Sequence, residues 1–207
     1  MTVPRRWNHR DFALPADELA PALLGHRLVR VVGSGARLSG IIVETEAYMG
    51  IADRACHSFN GRRTPRTEPM YADAGTAYVY FTYGMHHCFN IVCGKLNEPV
   101  AVLIRALMPE EGLEEMRRCR RGTRAGVLND TDLCSGPARL CQALDIDRRH
   151  SGLDMTSSTE LFVEKTTQGA RRGMSVERSA RIGIASAGEW TTTPLRFFLA
   201  GNAHVSR

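Results

Sequence analysis

The spacing of apolar and polar positions changes period several times along the chain, and each change marks an element. Between residues 11 and 25, leucines at 14, 19, 23 and 24 recur at helical spacing, with Pro15 and Ala16 early and Gly25 at the stop, which predicts an amphipathic helix. Residues 26 to 32 and 37 to 48 read as two strands joined at Gly33-Ser-Gly35. The second of these turns from apolar to acidic along its length. Side chains alternate on an extended segment, so Glu44, Glu46 and Tyr48 share one face and Val43, Thr45 and Ala47 the other. From 49 to 75 the pattern dissolves into Gly, Pro, Arg and small polar residues, a loop long enough to be functional or disordered. Tyr71 with Arg54, Arg62, Arg63 and Arg66 favours the functional reading.

Residues 75 to 93 form an aromatic and β-branched block that predicts two strands meeting at Tyr83-Gly84-Met85, with Gly84 as the turn residue. Residues 100 to 107 give another strand, ended by Pro109. Glu110 and Glu111 then open a helix that closes in Arg117, Arg118, Arg120 and Arg121, in agreement with the helix dipole. Residues 135 to 144 predict a short helix with Ser135 near its cap and Pro137 at its start. Strands are expected at 161 to 164, 181 to 184 and 195 to 199, with a polar stretch at 151 to 159. Hairpins mixed with helices, without repeats, indicate the α+β class.

Composition narrows the picture. The 207 residues, 43% of them apolar, are enough for one sizeable core, and the expected organisation is an N-terminal extension (1–12) followed by a single domain (13–207). No run reaches the length of a membrane span, and no apolar segment follows the basic residues of the N-terminus, so no membrane partner and a cytoplasmic location (nucleoid-associated if bacterial) are expected. The six cysteines include no CxxC pair, which points to reduced core thiols. A net charge of +5 and a pI near 9.1 suit a polyanionic partner. Of the 27 basic residues only Lys95 and Lys165 are lysines, so few amines exist for Schiff-base chemistry.

The candidate chemistry lies between residues 44 and 105. All five tyrosines fall between Tyr48 and Tyr83. Tyr78, Tyr80 and Thr82 share one strand face, able to line a pocket, while Tyr83 and Met85 flank Gly84 at a tip, where bulky residues suit wedging into a nucleic-acid groove. His57 sits in a loop able to fold back over the acidic strand, near Arg54, Arg62, Arg63 and Arg66. Arg105, inside an apolar strand, needs a carboxylate partner, and Glu44 and Glu46 are the candidates. His86-His87-Cys88 lacks metal-site spacing, so no metal and no cofactor are expected. The same residues leave two other readings open: a DNA-binding protein without catalysis, or an O-glycoside hydrolase using Glu44 and Glu46 as its carboxylate pair.

These stretches together resemble the alkyladenine (3-methyladenine) DNA glycosylases of the mammalian type. The likeness runs from about Leu14 to Ser206, through Leu23-Leu-Gly-His-Arg-Leu-Val-Arg30, Ile42-Val-Glu-Thr-Glu-Ala-Tyr48, Tyr78-Val-Tyr-Phe-Thr-Tyr-Gly-Met85, Leu103-Ile-Arg-Ala-Leu107 and the segment from Ser135 to Leu144. The resemblance implies a curved antiparallel sheet flanked by helices, with a protruding β-hairpin that enters the DNA minor groove. It implies Glu46 as the base that activates water, with Arg105 placing that water or its acid. Tyr48 would form one wall of the base pocket and His57 with Tyr80 the other, while Asn90 crowds the exocyclic amine of guanine. Tyr83, with Met85 beside it, would fill the gap left by the flipped nucleotide, and Arg62, Arg66, Ser135 and Arg139 would contact DNA. The partner implied is double-stranded DNA with damaged purines, bound by a monomer. Thr67-Glu68-Pro69, Met108 and Arg139 depart from the family's usual residues.

Overall fold

The computed structural model describes residues 5–82, 84–121, 128–166 and 173–206. Its centre is one curled antiparallel sheet of eight strands: β1 (Arg27–Val31), β2 (Arg37–Tyr48), β3 (Ala77–Thr82), β4 (His86–Cys93), β5 (Val100–Glu111), β6 (Leu161–Glu164), β7 (Val176–Ser179) and β8 (Arg196–Leu199). The strands run in the order β3-β4-β5-β2-β1-β6, while β8 pairs with both β2 and β7. Helices α1 (His9–Phe12), α2 (Ala16–Leu23), α3 (Leu113–Arg121), α4 (Asp130–Leu133) and α5 (Pro137–Ala143) flank it. The fold is α+β, as the mixed periodicity implies. Among the described residues no helix is long and apolar enough to cross a membrane.

Strand β2 is the hub. It pairs with β5 along one side, and with β1 and then β8 along the other. Every residue from Leu38 to Ala47 is therefore buried, the two carboxylates included. On its far face the Thr45 hydroxyl donates to the Ala20 carbonyl of α2 at 2.9 Å, tying helix to sheet. The β2–β5 register steps from Glu44↔Ala106 to Thr45↔Ile104, which leaves Arg105 as an extra residue in a bulge. A bulge bends the strand and re-aims its side chain. Here it turns Arg105 toward both acids of β2. At Gly40 the two strands approach so closely that a Cβ would lie 2.7 Å from the Met108 carbonyl oxygen.

Several boundaries differ from the sequence reading, each for a local reason. The single helix expected over 11 to 25 is split into α1 and α2 at Pro15, because a proline disfavours helical backbone in the residue before it. The stretch expected as an extension contributes Trp7 and Phe12 to the main core. Pro109 does not end β5. The strand runs on to Glu111, paired with β2, and β4 pairs only with residues 100–103, so no ladder on that side needs the missing N–H. Helix α3 accordingly starts at Leu113 rather than at the glutamates, which pair instead with Arg27 and Arg37. The strand expected at 181 to 184 lies at 176–179. Ser135 is not the cap of α5, where Gly136 stands, and Ser135 accepts from Arg139 at 3.1 Å.

Strands β3 and β4 form the protruding hairpin, closed by the Thr82↔His86 pair. Gly84 adopts φ +67, a backbone geometry that favours glycine, and Met85 is 66% exposed. Tyr83 lies outside the described residues. Below the hairpin a satellite core of Cys56, Met70, Tyr71, Tyr78, Val92 and Ala101 packs against Tyr48 and Tyr80. The clustering of tyrosines thus has a structural cause among the described residues: Tyr48, Tyr71, Tyr78 and Tyr80 build one packed system separate from the main core. All six cysteines are unpaired, and five of them are buried.

Candidate active site

The C-terminal half of β2, β3, β4, β5 and the loop after β2 surround a cavity of about 360 Å³. Tyr48, His57, Tyr78 and Tyr80 wall it, Asn90, Ala101 and Leu103 lie on its sheet side, and Ile182, Gly183 and Ile184 close its rim. Four residues singled out for a base pocket, Tyr48, His57, Tyr80 and Asn90, are brought together here. His57 stands edge-on to Tyr80, with ring centres 4.5 Å apart and planes at 80°, and its Nδ1 is 2.8 Å from the Tyr78 hydroxyl. Asn90 donates to the Tyr78 carbonyl at 3.1 Å, which fixes its side chain. Burial, followed by the charges of Arg66 and Arg62, pushes His57 down to about 4, so the ring is neutral near neutrality.

Glu46 is completely buried and lies one side chain behind the cavity wall. Three groups hold it: the Tyr48 hydroxyl at 3.1 Å, the Ile182 backbone N–H at 2.8 Å and Arg105 Nη1 at 3.2 Å. Tyr48, Ile182 and Arg105 themselves line the cavity. Burial raises the Glu46 carboxyl above its ordinary value, against the pull of Arg105, the Ile182 N–H and the Tyr48 hydroxyl. That makes it a stronger base than an exposed carboxylate.

Glu44 takes the opposite course. Arg105 Nε at 2.8 Å, Arg196 Nε at 2.7 Å, the Ser206 N–H at 2.7 Å and the Ser206 hydroxyl at 2.8 Å all donate to it. Burial pushes its carboxyl up, but Arg105, the Ser206 N–H and Arg196 more than reverse this and hold it below the ordinary value. The two acids of one strand face are thereby separated, one fixed as an ionised anchor and one basic. An O-glycosidase pair needs two carboxylates facing each other across a sugar. These two instead share one guanidinium.

Two further cavities adjoin the first. One of about 640 Å³, lined by Ser135, Pro137, Arg139 and Ser206, shares Arg105 and Pro137 with it, and one of about 580 Å³, lined by Arg66, Phe81 and Arg148, shares Tyr80. Together they make a trough in which the base-sized cavity is the central well. Arg62 and Arg66 are exposed beside it, and the Arg66 guanidinium lies 5.5 Å from the Tyr80 ring centre. Arg63 is occupied by Glu68, one of the departures from the family pattern, at 2.6 Å. Among the described residues no group of three potential metal ligands exists.

Sequence reasoning missed six contributors: Tyr78 as the partner of His57, Asp53, Arg181, the Ile182 amide, Arg196 and Ser206. Asp53 alone had a local signal, an aspartate whose carboxylate can accept the N–H two residues on; here it accepts from Ala55 at 2.9 Å. The others reach the site over chain separations as long as the 162 residues between Glu44 and Ser206.

A family profile described as methylpurine-DNA glycosylase matches residues 10–203. A mouse protein named DNA-3-methyladenine glycosylase is 45% identical over 199 residues, covering 94% of this chain and 59% of its own length. The human protein of the same name is 45% identical over 199 residues, covering 94% of this chain and 66% of its own. The chain thus spans about three fifths to two thirds of these mammalian relatives. A Clostridium perfringens protein, provisionally named a 3-methyladenine DNA glycosylase, is 40% identical over 210 residues, and both chains are covered from end to end.

Proposed function

We propose, for a chain that belongs to the methylpurine-DNA glycosylase family, that it removes alkylated or deaminated purines from duplex DNA by hydrolysing the N-glycosidic bond. The product is an abasic site in an unbroken strand. One observation carries this reading: a buried carboxylate of raised basicity, Glu46, stands directly behind a cavity walled by three tyrosines and a neutral histidine.

A stacked purine hides its glycosidic carbon, so the nucleotide must leave the helix at a cost of a few kcal/mol. The exposed Met85 beside the β3–β4 turn, with Tyr83 next to it in sequence, fills the gap it leaves. Arg62, Arg66, Ser135 and Arg139 hold the backbone along the trough. In the well, the electron-rich faces of Tyr48 and Tyr80 favour a purine made cationic by alkylation, at about 0.5–2 kcal/mol per ring. Asn90 discriminates by contact with the exocyclic position. A cationic purine departs with the bonding electron pair as a neutral base. Water then adds to the oxocarbenium-like sugar and gives its proton to Glu46, while Arg105 orients the water or the carboxylate.

Neither Lys95 nor Lys165 lines the cavity, and Lys165 is held by Asp11 at 2.6 Å, so among the described residues no lysine amine is at hand for a Schiff base. The test is incubation with methylated duplex. Free base should be released, strand breaks should form only after alkali, and borohydride should trap no protein–DNA adduct. An adduct, or intact DNA after alkali, would overturn the proposal.

A further inference from the structure

One of the three partners of Glu46 comes from a segment without regular structure. Residues 181–184 cross the rim of the cavity as bends, yet the Ile182 N–H meets the carboxylate at 2.8 Å. What fixes this segment is a fully buried ion pair. Arg181 Nη1 and Nη2 reach the two oxygens of Asp53 at 2.6 and 2.9 Å, and Nη1 also donates to the Ala47 carbonyl at 3.0 Å. Ala47 lies between Glu46 and Tyr48 on β2, and the guanidinium carbon stands 4.7 Å from the Tyr48 ring centre. Asp53 in turn accepts the N–H groups of Met49 and Ala55, at 3.0 and 2.9 Å, which holds the start of the loop that carries His57. Three walls of the cavity therefore meet at one pair.

A buried ion pair adds little net stability over apolar packing, because desolvation offsets the attraction. A two-pronged guanidinium–carboxylate contact does set direction. We propose that Asp53 and Arg181 are a positioning pair for the glycosidic step, seating the Ile182 amide on Glu46 and fixing the Tyr48 face relative to it. This rests on Glu46 being the base. A displacement of about 1 Å at such a site costs on the order of 100-fold in rate.

The test compares wild type, Arg181→Lys, Asp53→Asn and Glu46→Gln in single-turnover excision from methylated duplex as a function of pH. In both pair variants excision should fall roughly 10- to 100-fold. The acid limb of the profile should also move to higher pH, because the amide no longer favours ionised Glu46. A displaced Tyr48 hydroxyl, which also favours ionised Glu46, moves the limb the same way. Arg181→Lys keeps the positive charge that faces Glu46, and Glu44 on β2, Tyr80 on β3, Cys88 on β4 and Arg105 on β5 stay in place. Asp53→Asn separates geometry from field. Loss of a nearby negative charge alone would shift the limb to lower pH, the direction opposite to that of a lost amide contact. Unchanged rates and limbs in folded variants, or a downward limb in Asp53→Asn, would overturn the proposal. Failure of both variants to fold would overturn it too, making the pair a stability element. An active wild type beside an inactive Glu46→Gln keeps the base assignment whatever the pair does, whereas an inactive wild type removes the functional reading itself.

Discussion

Replacing Glu44 by Gln asks how much of the fold depends on the charged anchor beneath the site. The carboxylate is completely buried and accepts four hydrogen bonds, from two arginines and from both the N–H and the hydroxyl of Ser206. An amide cannot replace it in either orientation. With its oxygen toward the two guanidinium groups, its NH₂ meets the Ser206 N–H, donor against donor, and the flipped amide sets its NH₂ against the arginines. Arg105, only 6% exposed, loses its closest counter-charge. Removing one partner of a buried pair costs about 3–5 kcal/mol. Because Arg105 keeps Glu46, we take the lower end, about 3 kcal/mol, which lowers the melting temperature of a chain this size by roughly 6–12 °C. Urea unfolding should show a lower midpoint at unchanged slope. There is also a pH signature. A lowered folded-state pKa gives stability that is present above the unfolded value and is lost as pH falls through the folded one. Wild type should therefore lose stability in acid more steeply than Glu44→Gln. A melting temperature within about 2 °C of wild type, no more than the smallest shift expected for 1 kcal/mol, or acid limbs of equal steepness, would refute the reasoning.

Two further outcomes follow from the cavity walls. His57 is pushed down to about 4, so as pH falls the unfolded chain takes up the proton first; this contribution is intact above roughly pH 6.5, is lost between there and about 4, and amounts to about 3 kcal/mol. Melting temperatures of His57→Gln across that window should fall less steeply than those of wild type, and parallel curves would contradict the assignment. Tyr48→Leu should weaken excision of a cationic purine roughly 2- to 30-fold more than that of hypoxanthine, the equivalent of about 0.5–2 kcal/mol of ring–cation attraction. Equal losses for the two substrates, measured by single-turnover kinetics, would count against it.

Much of this arrangement was legible in the sequence where function and local pattern coincide. The period-2 alternation of β2 put Glu44, Glu46 and Tyr48 on one face, and the crowding of tyrosines marked the cavity wall. What was not legible depends on contacts between distant parts of the chain. Nothing near Glu44 signals that Arg196 and Ser206 will close on it, and only this closure makes the two acids unequal. The apolar Ile182 and Ile184 resemble strand residues, but they line a cavity rim, where Ile182 is 41% exposed and Gly183 turns the backbone at φ +78. Pro109 misled because a proline is a barrier only where a neighbouring strand needs its N–H.

The central claim is that Glu46 acts as the base and not as scaffolding. It is tested most directly by the release of free purine from methylated duplex under single-turnover conditions, with wild type and Glu46→Gln compared alongside their affinities for the same DNA. The account predicts that Glu46→Gln binds the damaged duplex as wild type does and releases no purine on the wild-type timescale. Excision by Glu46→Gln at the wild-type rate would contradict it.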